Sequence, residues 1–78
     1  MEILKVGIVG YGIVGKRRRK VIDKNKYMQT VAISDVNFKK DYVAKDGVYV
    51  FGDFKKIFEV DLNVLFVCLP NRFASIAT

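Results

Sequence analysis

Three glycines near the N-terminus, Gly10, Gly12 and Gly15, stand in the spacing G-x-G-x-x-G within Gly10-Tyr11-Gly12-Ile13-Val14-Gly15. An almost wholly apolar run, residues 3–9, leads into them, and a helix-compatible segment, residues 13–25, follows. A chain that leaves a strand through glycines and enters a helix at once is confined to very few folds. Lys5, near the start of the run, is its one exception, a pattern that suits a parallel strand covered on both faces. A second apolar run, residues 30–34, closes on Asp35, twenty positions beyond Gly15. Strand, glycine turn, helix and strand in this order make a βαβ unit.

Downstream, residues 37–46 are charged and weakly patterned, and read as a loop with one helical turn. Gly47 precedes a short third strand, residues 48–51. Gly52 and Asp53 turn the chain, and Asp53 is placed to cap a helix over residues 54–60. Residues 64–69 make a fourth strand, ended by Pro70 and Asn71, and residues 73–78 begin another helix. Alternating strands and helices predict an α/β domain, a Rossmann-type parallel sheet with helices on both faces, truncated after about four strands. In the common order 3-2-1-4, the first and fourth strands are neighbours, and ligands bind in the crevice where the winding reverses.

The chain has 78 residues, so it makes one domain at most. At this size only ~60% of the unfolded surface is buried, and stability is expected to be marginal. Glu2 stands where a basic leader would begin, and no apolar run reaches the ~20 residues that span a bilayer. The expected compartment is cytoplasmic, with no membrane partner. The single cysteine, Cys68, forms no internal disulfide and reads as a buried, inert thiol. With no histidine, the usual general base near neutral pH and the commonest metal ligand are both missing.

The net charge is +6, and Lys16-Arg17-Arg18-Arg19-Lys20 is its densest part. Five successive helical residues encircle the axis, so a solvated helix reaching toward bound phosphate is favoured over a nucleic-acid surface. Arg17 and Arg18 stand where the apolar face is expected, and their methylene stems are expected to cover the sheet. Cations in the opening turns of a helix oppose its dipole, at about 0.3–1 kcal/mol each. A bound polyanion offsets that cost.

The glycines have separate tasks at a dinucleotide site. Gly10 permits the tight exit from the strand, Gly12 lets a pyrophosphate approach the backbone, and Gly15 lets the helix lie close to the sheet. Unpaired N–H groups of the first helical turn then face the phosphates. Asp35 is expected to accept hydrogen bonds from the adenosine ribose and to repel a 2′-phosphate, which favours NAD over NADP. Lys39 and Lys40 soften that preference. Tyr11 either packs on the pyrophosphate or faces solvent. Tyr27, Tyr42 and Tyr49 read as packing residues.

These features occur together with Val31-Ala32-Ile33-Ser34-Asp35-Val36-Asn37, the Gly52-Asp53-Phe54 turn, and Asp61-Leu62-Asn63-Val64-Leu65-Phe66-Val67-Cys68-Leu69-Pro70-Asn71. Over essentially its whole length the chain resembles the N-terminal half-domain of the glucose–fructose oxidoreductase/inositol dehydrogenase (Gfo/Idh/MocA) family. The resemblance implies an NAD(P)-dependent oxidoreductase that moves hydride to or from a sugar, sugar nucleotide or cyclitol. It implies that Gly10, Gly12, Ile13, Val14 and Gly15 surround the pyrophosphate and that Asp35 holds the ribose. Leu69, Pro70 and Asn71 would lie beside the cofactor near its centre. Arg18 departs from the family, which often has histidine there.

The family's lysine-bearing Glu-Lys-Pro stretch and its substrate domain come later than Thr78. No catalytic residue is therefore assigned, and the chain is expected to be a truncated portion, inactive alone. Its open sheet edge favours association, including with copies of itself. Two other readings stay open: a non-catalytic NAD-sensing module, and another enzyme such as a homoserine dehydrogenase-like one. The Pro70-Asn71 ending favours the sugar-type family.

Overall fold

A computed structural model describes residues 3–68. Leu69, Pro70, Asn71 and the helix expected over residues 73–78 lie outside the described residues. The elements in chain order are strand β1 (Leu4–Val9), helix α1 (Ile13–Lys24), strands β2 (Met28–Ser34), β3 (Tyr42–Val43) and β4 (Tyr49–Phe51), a 3₁₀ helix (Phe54–Glu59) and strand β5 (Val64–Val67). The five strands form one sheet in the order β3-β4-β2-β1-β5. β1 pairs parallel with both β2 and β5, and β2 pairs parallel with β4. The fold is an α/β domain with a mostly parallel sheet.

Strand pleating sorts the apolar side chains onto two faces. Val6, Ile8, Ile33 and Val50 gather with Ile22 of α1 on one face. Val9 and Ala32 gather with Ile57 of the 3₁₀ helix on the other. Gly7 belongs to this second face, where a Cβ would stand 2.7 Å from a methyl of Leu62 and 3.2 Å from one of Ile57. Both faces of β1 are thus covered, the reason its sequence does not alternate. Helical elements cover the sheet from both sides.

Three segments differ from the sequence expectation. Residues 37–46 contain β3, which pairs antiparallel with β4. Ala44 donates to the Val48 carbonyl at 2.9 Å, Gly47 donates to Ala44 at 2.9 Å, and Gly47 has φ +86. Two strand residues are too few to show a period, so only the partner strand reveals them. The segment after Asp53 is 3₁₀, with Val60 N–H donating to Ile57 at 3.2 Å. Its cap is as expected: the Asp53 carboxylate accepts from Lys55 N–H at 3.0 Å.

The third difference is the seam of α1. Ile13, Val14 and Val21 are exposed, whereas Gly15 and Ile22 are buried and Arg19 is half-buried. Gly15, Arg19 and Ile22 repeat at helical spacing and define the inward side. Arg18 lays its guanidinium over the Phe66 ring, 5.4 Å from the centroid. Arg17 and Arg18 are both exposed, so the arginine stem that turns inward is that of Arg19.

Candidate functional site

The C-terminal ends of β1 and β2 are brought level by a one-residue irregularity in their pairing. Val6 pairs with Thr30, but Gly7 pairs with Ala32, leaving Val31 as the extra residue. Ser34 rather than Ile33 therefore stands opposite Val9, and Asp35 comes abreast of the glycine loop. On the other side, Cys68 N–H donates to the Val9 carbonyl at 2.7 Å, which sets the end of β5 beside the same loop. The chain steps from β1 through β2 to β4 in one direction and returns past β1 to β5. The winding reverses between β1 and β5, where the loop lies.

The loop's backbone explains its glycines. Gly10 has φ +89, a conformation that side chains oppose, and its N–H donates to the Ser34 carbonyl at 2.8 Å. At Gly15 a Cβ would stand 2.1 Å from the Gly10 carbonyl oxygen, so the first turn of α1 rests on the loop itself. At Gly12 no described residue lies within 4 Å of the Cβ position. Packing among the described residues thus requires glycine at two positions and sets no contact at the third.

Helix α1 begins with Gly12 as its N-cap, without a side-chain cap and without an acidic residue in its first turn. Its first backbone bond runs from Lys16 N–H to the Gly12 carbonyl at 3.0 Å. The N–H groups of Gly12, Ile13, Val14 and Gly15 donate to no acceptor among the described residues. Four donors and the positive end of the helix dipole converge on an open surface. An anion is the chemical complement of that arrangement.

Asp35 joins the loop to β2. One carboxylate oxygen accepts from Tyr11 N–H at 2.6 Å and the other accepts from Asn37 N–H at 2.9 Å. Its own N–H donates to Phe51 at 3.1 Å, and its carbonyl accepts from Phe38 at 3.0 Å. A carboxylate has about four lone-pair directions, so two remain for an incoming hydroxyl donor.

Tyr11 is partly buried rather than turned to solvent. Its ring turns back over the α1 face, tilted 44° against Phe38 at 6.1 Å between centroids. Its hydroxyl accepts from Arg19 at 3.2 Å. Arg19 also donates to Asp23 at 3.2 Å and to Asp46 at 2.6 Å. Burial works against the guanidinium charge, but the bonds from Tyr11, Asp46 and Asp23 outweigh it and hold Arg19 above its ordinary pKa. Asp46 is held below the usual carboxylate range by Val48 N–H and then by Arg19.

This network is what sequence reasoning missed, having read residues 16–20 as one solvated collar. The only local signal was the helical spacing of Arg19 and Asp23. Elsewhere, a shallow hollow lies on the 3₁₀ side of the sheet, between Lys5, Val31, Tyr49, Phe51 and Val60. None of the residues expected to bind a ligand lines it. Among the described residues no helix is long and apolar enough to cross a membrane. The chain matches no protein-family model and no curated protein.

Proposed function

We propose that the chain binds a dinucleotide, NAD in preference to NADP, across the ends of β1 and β5. The observation that carries this reading is the Gly12 Cβ position, free of contacts among the described residues, beside four unpaired N–H donors. In this reading a pyrophosphate approaches the backbone at Gly12, and the donors supply its hydrogen bonds. Asp35, abreast of the loop at the end of β2, supports the reading as the acceptor for the adenosine ribose hydroxyls, its charge disfavouring a 2′-phosphate. The reversal of winding beside β1 supports reading the sheet as Rossmann-type.

Within the oxidoreductase reading, the bound nicotinamide supplies hydride transfer to or from a sugar-type substrate. This chain's residues bind and orient. Gly12, Ile13, Val14 and Gly15 hold phosphate, Asp35 holds ribose, and Gly10 shapes the turn. Leu69, Pro70 and Asn71, which the family resemblance assigns to the cofactor, lie outside the described residues. Calorimetric titration of the folded chain with NAD and with NADP tests it. Saturable binding with NAD the tighter supports it; binding of neither overturns it.

A further inference from the structure

Tyr11 is the lone residue between Gly10 and Gly12, and the only one of the three with a side chain by which the loop can be held. Whatever holds Tyr11 therefore holds the loop. Its N–H is held by Asp35, its ring rests on Phe38, and its hydroxyl is held by Arg19. Arg19 reaches it from α1 with a side chain only 20% exposed. The same guanidinium is gripped by Asp23, one turn along the helix, and by Asp46 at the tip of the β3–β4 hairpin. Asp46 is itself tied down, accepting from Val48 N–H at 3.1 Å beside the Gly47 turn.

We propose that Arg19 is a positioning residue for the glycine loop, fixing Tyr11 through its hydroxyl while Asp46 and Asp23 fix the guanidinium. The planar fork of arginine serves three acceptors on three elements at once, which a lysine ammonium cannot do in this geometry. With Tyr11 fixed, the N–H groups of residues 12–15 keep their common direction. The ligand consequence rests on the nucleotide reading above; the clamp itself does not.

Amide hydrogen exchange, followed by NMR on the full chain without ligand, tests the clamp in Tyr11→Phe, Arg19→Met and Arg19→Lys. Tyr11→Phe removes the hydroxyl and leaves the Arg19–Asp46 pair in place, so it reads the loop even if Arg19→Met does not fold. Relative to the core amides of Ile8 and Ile33, exchange at the Tyr11 amide accelerates about tenfold in Tyr11→Phe and Arg19→Met. Arg19→Lys recovers little of the protection. Unchanged exchange at Tyr11 in the folded variants overturns the clamp, because a guanidinium that merely pins the hairpin would not need the phenol.

NAD titration of the same proteins separates the two readings. Affinity that falls in Tyr11→Phe together with loop protection supports positioning for the ligand, and unchanged affinity with a loosened loop overturns it. Where exchange responds but the parent chain binds no NAD, the cofactor reading fails and the clamp stands.

Discussion

At the scale of single residues, the three glycines answer to different demands, and substitution separates them. Gly15→Ala places a methyl against the Gly10 carbonyl and is expected to cost about 1–3 kcal/mol in stability, measured by urea unfolding. Gly12→Ala meets open space at φ −82, so the unfolding free energy stays within about 0.5 kcal/mol while NAD affinity falls. A loss of stability at Gly12 would contradict its assignment to a ligand. The spacing of the glycines and the position of Asp35 were legible in the chain. That Asp35 accepts from Tyr11 N–H was not, since a carboxylate's donors are chosen by a backbone folded against it. Asp35→Asn turns one acceptor into a donor facing an N–H, and a stability loss of about 1–2 kcal/mol is expected alongside weaker NAD binding. Unfolding curves and titrations with both dinucleotides read the two effects.

At the scale of elements, each helix covers one face of the sheet with few side chains. Ile57 is the fully buried residue of the 3₁₀ helix, so Ile57→Ala is expected to cost about 2–5 kcal/mol in a denaturant titration. The hairpin is held by charges and is therefore sensitive to pH. Asp41 is lowered by Lys56 and then by Gly52 N–H, and Asp46 by Val48 N–H and then by Arg19. Both carboxyls titrate lower in the folded chain, so their contribution is complete above about pH 4 and is lost as pH falls through the lowered values. Lys56 is raised by Asp41, so its contribution is present below about pH 10 and is lost as pH climbs further. Thermal midpoints are expected to be level from about pH 5 to 9 and to decline on either side. Asp46→Asn shrinks the acid decline; an unaltered acid limb would show that the Arg19–Asp46 pair contributes nothing. The hairpin's existence was illegible because β3 has two residues and its hydrogen bonds come from β4.

At the scale of the whole molecule, two small cores share one sheet, and β1 lies between β2 and β5 with both faces covered. A chain of 78 residues has little stability in reserve, so a ligand has large leverage. NAD at a hundred times its dissociation constant is expected to add about 2.7 kcal/mol. For a domain of this size, that raises the thermal midpoint by about 10 °C or more. Calorimetric melting with and without NAD measures it, and an unmoved midpoint at saturating NAD would argue against a site on the folded chain.

The sequence by itself determined the βαβ beginning, the parallel pairing partners of an apolar β1, the glycine turn and the acid at the end of β2. Those follow from local rules: side-chain period, glycine's backbone freedom and the preference of Asp53 for a cap. Only the tertiary structure decided which side of α1 faces inward, because the contact of Gly15 with the Gly10 carbonyl sets the helix's rotation. That rotation sends Arg19, rather than a valine, to the seam. It also brings Arg19 to both Tyr11 and Asp46, residues far apart in the chain. Local preference cannot encode such a meeting, since a hydrogen bond between distant residues exists only after the sheet has placed them side by side.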